Sequence, residues 1–398
     1  DLQLINKVKT HNYLNATMSS KLKKTQHSKI ALLLTGGGAR AAYQVGVLKA
    51  ITQSMPRTAP LPFTIINGTS AGAINSAALA CYASCAHLAC KKLEWVWKNF
   101  STSQVYKSDF LSVFLHITRN MLTSFQSEHI NHPPASLLNN KPLRKLLHEI
   151  LDLSRIERNL HKNYLDAVSI TASSYTTGDS VAFFQSLTQK PWRRAKREGQ
   201  ATRINVEHLM ASSAIPMVFP SVNVYNHYFG DGSIHQLSPL SPSVHLGAEK
   251  IFIIGVDEPK ELHPPGYQPH YPGLSNIAGH LLDSVFTDTL QSDLERLQRI
   301  NRTLSLLPAR DKHQELKQIE TCVINPSQNF NAIAAQFYDD MPMAIKVLLR
   351  MIGVKKRSQS SLTSYLLFEK RYTQKLIEIG YQDGLKKLPE IRKFLELE

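Results

Sequence analysis

The chain has 398 residues and a formal net charge of +15 at pH 7. This length can bury a sizeable core in one or more domains, and the ordinary hydrophobic content excludes general disorder. The positive charge favours anionic partners such as nucleic acid, an anionic membrane surface or an anionic substrate. No run of about 18 apolar residues is present, so we expect no membrane-spanning helix.

The first predicted elements alternate between strand and helix. Residues 1–29 are polar and basic and predict a loosely ordered N-terminal arm. The apolar run at 30–35, which ends at three glycines, predicts a buried strand entering a tight turn. A helix is predicted at 39–53, a second strand at 63–67 and one long helical region at 71–97.

The rest of the chain continues this alternation. Further strands are predicted at 166–173, 181–185, 222–229, 250–256 and 321–325. A Pro-rich loop at 259–273 precedes a helix whose apolar residues share one face: Leu282, Val285, Phe286, Leu290, Leu294 and Leu297. Residues 331–398 are predicted to be helical and basic. Strands that alternate with helices indicate an α/β layered fold with a largely parallel sheet.

The four cysteines are few and unevenly spaced: Cys81, Cys85, Cys90 and Cys322. They do not resemble a disulfide framework, so a reducing compartment is expected. A metal site built from Cys81, His87 and Cys90 lacks the usual C-x2-C and H-x3-H spacings, and buried cysteines are the better interpretation. The first residues carry no signal-peptide pattern, and a removed upstream segment stays open.

A G-x-S-x-G motif occupies residues 68–72 (Gly-Thr-Ser-Ala-Gly), between a predicted strand and a predicted helix. A sharp strand-to-helix turn exposes the serine hydroxyl, and the glycines on either side avoid clashes. The helix N-terminus favours negative charge that develops beside the serine. Ser70 is therefore the candidate nucleophile, and the alternative is an ordinary glycine-rich turn with a capping serine.

A second loop between strand and helix spans residues 36–40 (Gly-Gly-Gly-Ala-Arg). Consecutive glycines leave N–H groups free to point at an anion, so Gly36, Gly37 and Gly38 are candidates for an oxyanion hole. Two roles stay open for Arg40. Its planar guanidinium could hold a lipid phosphate, or it could pair structurally with a carboxylate or a helix end.

The same loop also fits the dinucleotide-binding fingerprint G-x-G-x-x-G/A through Gly36, Gly38 and Ala41. That fingerprint expects an acidic residue about 20 positions further on. No acidic residue occurs between Asp1 and Glu94. A P-loop also fails, because no Gly-Lys-Ser/Thr follows the glycines, so we set nucleotide binding aside.

Two later features are weak signals when taken alone. Asp231 lies in Phe-Gly-Asp-Gly at 229–232, and an Asp-Gly pair is most often a plain turn. Residues 211–220 (Ala-Ser-Ser-Ala-Ile-Pro-Met-Val-Phe-Pro) are apolar and interrupted by two prolines, and composition gives no reason for their importance.

Taken in order, the glycine loop, the G-x-S-x-G turn, the 211–220 stretch and the Asp-Gly pair resemble the patatin-like phospholipases. The resemblance covers about residues 30–330. Residues 364–369 (Ser-Tyr-Leu-Leu-Phe-Glu) and 381–384 (Tyr-Gln-Asp-Gly) are similar to the C-terminal extensions of bacterial members. Ala41 and Ser233 depart from the family pattern, which usually has Gly at the first position and Gly or Ala at the second. Both are small, so catalysis is not put in serious doubt.

The resemblance implies a three-layer α/β/α patatin-like core at 30–330, followed by a helical, basic C-terminal extension at 331–398. It implies a catalytic dyad of Ser70 and Asp231 without histidine, an oxyanion hole at the glycine loop, and no metal or organic cofactor. A Ser-His-Asp triad that uses His235 is the competing arrangement, because a His follows the acid in α/β-hydrolases.

The implied activity is hydrolysis of carboxylic esters of phospholipids or lysophospholipids. The alternatives are a hydrolase of non-lipid acyl esters and a catalytically silent membrane-binding protein. We expect a cytoplasmic, peripherally membrane-associated protein that binds anionic membranes and no nucleic acid, and we leave a homodimer open.

Two apolar segments have competing interpretations. Residues 110–125 are apolar on more than one helical face, which is typical of core packing but also of a lid or an acyl-chain contact. Residues 345–352 with the basic residues that follow are amphipathic, and they suit either an anionic membrane surface or a solvated helix packed on the core.

Overall fold

The computed structural model describes residues 28–108, 136–259, 273–284, 289–307, 316–356 and 358–397. Most of the predicted N-terminal arm, the apolar segment at 110–125 and nearly all of the Pro-rich loop at 259–273 lie outside these residues. Within the described ranges, no helix has both the length and the apolarity that crossing a membrane requires.

Ten strands occur in the described ranges, and we number them in chain order. They are β1 (Ile30–Leu34), β2 (Ile65–Thr69), β3 (Ala167–Ser174), β4 (Ser180–Ser186), β5 (Trp192–Arg194), β6 (Arg197–Ala201), β7 (Val222–Val224), β8 (His227–Asp231), β9 (Lys250–Ile254) and β10 (Glu320–Ile324). They form one sheet in the order β10-β9-β1-β2-β3-β4-β6-β5. In addition, β8 pairs with the end of β3, and β7 pairs with β8. β10, β9, β1, β2 and β3 run parallel, so the predicted largely parallel sheet is confirmed.

The α-helices of the described ranges are numbered in the same way. They are α1 (Ala42–Gln53), α2 (Ala71–Cys81), α3 (Ala86–Asn99), α4 (Thr102–Val105), α5 (Lys141–Ile150), α6 (Ser154–His161), α7 (Val206–Ser212), α8 (Ser241–His245), α9 (Leu274–Asp283), α10 (Thr289–Leu306), α11 (Phe330–Gln336), α12 (Met343–Met351), α13 (Ser361–Leu366), α14 (Lys370–Lys386) and α15 (Leu388–Phe394). Single 3-10 turns occupy Gly38–Ala41 and Tyr338–Asp340.

The central strands are buried on both faces, as parallel strands covered by helices usually are. In β1, Leu32 and Leu34 belong to one hydrophobic cluster, whereas Ala31 and Leu33 belong to another on the opposite face. Because successive side chains of a strand point to opposite faces, these two clusters are the two interfaces between sheet and helices. The predicted three-layer α/β/α architecture follows from them.

The structure corrects two of the predicted elements. Residues 71–97, expected to form a single helical region, form two helices, because the backbone between them is hydrogen-bonded to the 59–61 loop. Leu61 N–H donates to Ala83 C=O, and Ala86 N–H donates to Ala59 C=O. The strand expected at 222–229 is the hairpin β7–β8. Its two turn residues, Tyr225 and Asn226, both have positive φ, as a tight hairpin turn demands.

The C-terminal extension packs as part of the same core. Gly46 of α1 and Gly380 of α14 allow these helices to touch, since a Cβ on either would lie about 2 Å from a carbonyl oxygen of the other helix. Tyr365, Tyr372 and Ile391 belong to the same hydrophobic cluster as Leu32. Residues on both sides of the boundary expected at 330 therefore share one core. In α12 the buried residues Ile345, Leu348 and Leu349 form the inner face of the predicted amphipathic stretch.

Candidate active site

Ser70 lies at the turn between β2 and α2. Its backbone has φ 56° and ψ −129°, a conformation that L-residues rarely adopt and that is typical of a strained nucleophile turn. Gly72, in the first turn of α2, permits this sharp turn from strand to helix, because a Cβ there would lie 2.3 Å from the carbonyl oxygen of Leu34. Ser70 is only 2% exposed. The sequence prediction that Ser70 follows a strand and opens a helix is thus confirmed.

The glycine loop lies beside this turn because β1 and β2 are neighbouring parallel strands, with Leu34 opposite Gly68. Gly38 has φ 53°, and a Cβ there would lie 2.4 Å from the carbonyl oxygen of Tyr365. In the described part of the chain, the N–H groups of Gly36, Gly37 and Gly38 have no hydrogen-bond acceptor. The loop therefore presents free donors near the Ser70 turn.

Asp231 reaches Ser70 through the pairing of β8. On β3, Thr171 pairs with Thr69, the last residue of β2, and the next residue, Ala172, pairs with Asp231, the last residue of β8. β2 and β8 therefore lie along the same edge of β3 and meet end to end. This register places Ser70 and Asp231 next to each other although they are distant in sequence.

The Asp231 carboxylate is completely buried and only partly hydrogen-bonded. Oδ1 accepts the Ser233 N–H at 3.0 Å, whereas Oδ2 has no partner among the described residues. Burial raises the pKa of Asp231 to about 6, opposed by the nearby Ser70 hydroxyl and by hydrogen bonds from Ser233. The Ser70 hydroxyl is thus close enough to favour the ionised carboxylate, without the geometry of a formed hydrogen bond.

His235, the histidine of the competing triad, is hydrogen-bonded through its backbone. Its N–H donates to Ser173 Oγ at 3.0 Å. The ring Nδ1 is buried without a partner in the described structure, and no hydrogen bond there joins the ring to Ser70 or Asp231.

Arg40 is fully buried and engaged at every nitrogen. Its guanidinium contacts Glu258 at 3.0 Å and Asp283 at 3.4 Å, and it stacks 4.0 Å from the ring centre of Tyr365. Nε donates to Ser364 Oγ at 2.8 Å, and Nη2 donates to Asn331 Oδ1 at 2.8 Å. These contacts favour the structural alternative over a phosphate-binding role, since no donor faces an open site. Arg40 instead ties the glycine loop to the C-terminal helices.

A cavity of about 710 Å³ extends from Gly38 and Ser70 between α2, α3 and α5. Ile74 and Ala78, one and two turns after Ser70, are the two residues of α2 that are not fully buried, and Tyr82 continues the same stripe. The facing walls are apolar and repeat at i, i+3, i+4 and i+7: Leu93, Val96, Trp97 and Phe100 on one side, and Leu143, Leu146, Leu147 and Ile150 on the other. Exposed Lys92, Trp95 and Asp152 lie at its rim.

These two walls were not predicted from the sequence. Their helical spacing was a usable signal, but spacing alone does not distinguish a face that packs in the core from a face that lines a cavity.

The sequence model of one family, described as patatin-like phospholipase, matches residues 32–242. No curated protein matches the chain significantly.

Solved structures that are similar to it include those of two bacterial proteins and one human protein. VipD from Legionella pneumophila has a TM-score of 0.37 and 13% identity, with 91% of this chain and 67% of that chain covered. ExoU, a type III effector of Pseudomonas aeruginosa, has a TM-score of 0.35 and 13% identity, with 92% and 53% covered. Human GIVD cytosolic phospholipase A2 has a TM-score of 0.43 and 12% identity, with 94% and 60% covered. The chain thus spans 53% to 67% of the length of these proteins.

Proposed function

The chain belongs to the patatin-like phospholipase family, and we propose that it hydrolyses carboxylic esters of phospholipids or lysophospholipids through Ser70 and Asp231. The observation that carries the proposal is the end-to-end meeting of β2 and β8, which places a buried carboxylate with one unpaired oxygen beside a strained serine. The adjoining apolar cavity suits a hydrocarbon chain.

The reaction would proceed by two acyl transfers. Asp231 accepts the proton of the Ser70 hydroxyl as Oγ bonds to the ester carbonyl carbon, and the carbonyl electrons move to its oxygen. Collapse of this intermediate breaks the bond to the leaving alcohol, which takes the proton from Asp231. A water that gives its proton to Asp231 then attacks the acyl-enzyme, and the fatty acid leaves as Ser70 regains its proton.

The electrostatics of the site suit these steps. A pKa of about 6 keeps Asp231 mostly ionised at neutral pH and makes it a stronger base than an exposed aspartate. We assign the oxyanion to the free N–H groups of Gly36, Gly37 and Gly38, supported by the N-terminus of α2. The Ser70 N–H does not take part, because it already donates to Ser212 Oγ.

The acyl chain would lie along the stripe of Ile74, Ala78 and Tyr82. From Ser70 to Tyr82 the helix rises about 18 Å, at about 1.5 Å per residue. An extended hydrocarbon chain advances about 1.3 Å per carbon, so about 14 carbons fit beside this stripe. The substrate class is therefore a long-chain acyl ester.

A bulky side chain at position 78 should shorten the chain that the enzyme accepts. With Ala78→Trp, we expect release of palmitic acid from mixed phospholipids and lysophospholipids to fall at least about tenfold, because each CH₂ kept out of the cavity forfeits about 0.8 kcal/mol of burial. Hydrolysis of a butyryl ester should change less than about threefold, since about 9 carbons still fit before position 78. Mass spectrometry of the released acids measures the profile.

The matched control is Ala201→Trp, the same change at an exposed strand end away from the cavity. It should keep the parent profile. Equal loss on long and short esters in Ala78→Trp would contradict the proposed path of the chain. A parent that releases no fatty acid, but cleaves other esters or none, would favour the non-lipid hydrolase or the catalytically silent membrane protein.

We also propose that the protein associates peripherally with anionic membranes through the cavity rim. The net charge is +15, and Trp95 at the rim is 65% exposed. Tryptophan is well suited to the membrane interface, and exposed charge attraction is screened over about 10 Å at 0.1 M salt. We expect tighter binding to anionic than to neutral vesicles, weakening as salt rises, in a vesicle co-sedimentation assay.

Substitutions at the cavity rim and away from it test which face of the protein contacts the membrane. Trp95→Ala should weaken it several-fold, whereas Leu306→Ala, which removes an exposed apolar side chain outside the cavity lining, should not. Binding that is independent of salt, or equal for both variants, would argue against this part of the proposal.

A further inference from the structure

The 211–220 stretch, for which composition gave no role, contacts the backbone of the Ser70 turn. Ser212, the last residue of α7, is fully buried. Its Oγ accepts the Ser70 N–H at 2.9 Å and donates its own proton to the carbonyl oxygen of Thr171 at 2.6 Å. A single hydroxyl therefore links the Ser70 turn to β3.

The same segment also holds the strand end that carries Asp231. The Asp231 N–H donates to the Ala214 carbonyl oxygen at 2.8 Å, and the Gly232 N–H donates to the Ser212 carbonyl oxygen at 3.2 Å. Residues 212–214 thus contact both members of the proposed dyad, one through a side chain and the other through backbone.

Ser70 needs such a restraint more than an ordinary residue does. Its positive φ is unfavourable for a side-chain-bearing residue and persists only where surrounding contacts enforce it. Its N–H is buried, so loss of the acceptor would leave an unpaired donor and favour a shift of the turn. Any such shift moves Oγ relative to Asp231.

From this geometry we infer that Ser212 is a positioning residue, whose hydroxyl holds Ser70 in reach of Asp231. The inference rests on the proposed function. Ser212 acts through the Ser70 backbone and takes no part in the proton transfer.

A pair of variants isolates the effect of the Ser212 hydroxyl on catalysis. Ser212→Thr and Ser212→Val have side chains of nearly equal size, so any packing strain is common to both and only the hydroxyl differs. We expect Ser212→Val to have a kcat for a p-nitrophenyl butyrate probe lower by on the order of 10²-fold than Ser212→Thr, with similar KM, because small misplacements of reacting groups are costly. Ser212→Ala, the smallest change, should match Ser212→Val.

The pH profile distinguishes a positioning role of Ser212 from a role in protein stability alone. When Ser70 moves away, Asp231 loses the hydroxyl that favours its ionised form, and its pKa rises. Activity needs the ionised base, so the acid limb of kcat/KM should move to higher pH in Ser212→Val and Ser212→Ala but not in Ser212→Thr. Tyr175 also interacts with Asp231, but its pKa is raised, mainly by burial, so it stays neutral across this limb.

Ser243→Ala is the matched control, because Ser243 is equally buried and accepts a hydrogen bond from the Asn67 side chain at 2.7 Å, away from the dyad. It should lower the melting temperature without changing kcat or the acid limb. Equal kcat and equal acid limbs in the Thr, Val and Ala variants of Ser212 would overturn the inference. An inactive parent would instead overturn the proposed function.

Discussion

Replacing Ser70 by alanine should reduce release of fatty acid from phospholipids and lysophospholipids to the background rate while the protein stays folded. The hydroxyl is the proposed nucleophile, and losing such a group costs on the order of 10⁴-fold or more in kcat. The side chain is small and almost fully buried, so the change removes one oxygen and leaves the packing intact. Mass spectrometry of the products and a thermal melt measure the two outcomes.

A fluorophosphonate probe gives an independent check on the same assignment. It should label the parent protein at Ser70 and leave Ser70→Ala unlabelled, because only an activated serine reacts. Ser243→Ala, which lacks a buried serine outside the cavity lining, should label like the parent. Labelling at a different serine, or full hydrolysis by Ser70→Ala, would refute the role of Ser70.

The parts of the fold that follow from local pattern could be predicted from the sequence. The apolar runs of β1 and β9 are buried parallel strands, β10 is a half-buried parallel strand at the edge of the sheet, and each was placed within two residues of its observed ends. The break between α2 and α3 could not be predicted, because it depends on hydrogen bonds with the 59–61 loop. The short strands β5 and β6 were also missed, since Trp192–Arg194 and Arg197–Ala201 carry a polar, charged pattern.

The candidate site also has a part that could be predicted from local sequence and a part that could not. Ser70 and the glycines could be named as candidates from the residues alone, because each turn is defined by neighbours in sequence. Asp231 came only from the family resemblance. Its place beside Ser70 is set by the pairing of β8 with β3, an interaction between distant segments that no local spacing encodes.

Arg40 shows most clearly what could not be predicted from the sequence alone. The sequence left a phosphate site and a structural ion pair equally open, because its partners are far along the chain. Glu258, Asp283 and Tyr365 come together around it only in the folded core. A motif residue next to a candidate oxyanion loop is therefore not by itself a ligand-binding residue. The burial of its charged end favours the structural role.

Asp231→Asn should abolish turnover nearly as completely as Ser70→Ala, because the amide cannot accept the Ser70 proton. The protein should be at least as stable as the parent at pH 7. Burial raises the folded-state pKa of Asp231 from the ordinary aspartate value of 3.8 to about 6, so the ionised carboxylate costs stability, and stability falls as pH rises through this interval. Asparagine removes that charge. Steady-state kinetics and thermal melts at pH 4 and pH 7 test both statements, and a large loss of melting temperature at pH 7 would show that the lost activity reflects unfolding.

His235→Ala separates the dyad from a Ser-His-Asp triad. In a dyad it should change kcat only slightly, since the described His235 ring makes no hydrogen bond to Ser70 or Asp231. In a triad the loss should be on the order of 10⁴-fold or more. The pH profile of the parent cannot decide between them, because a base with a pKa of about 6 places the acid limb close to the ordinary histidine value of about 6.5. The comparison of variants can: if His235→Ala or another single histidine change abolishes turnover in a folded protein, Asp231 is not the base that takes the Ser70 proton.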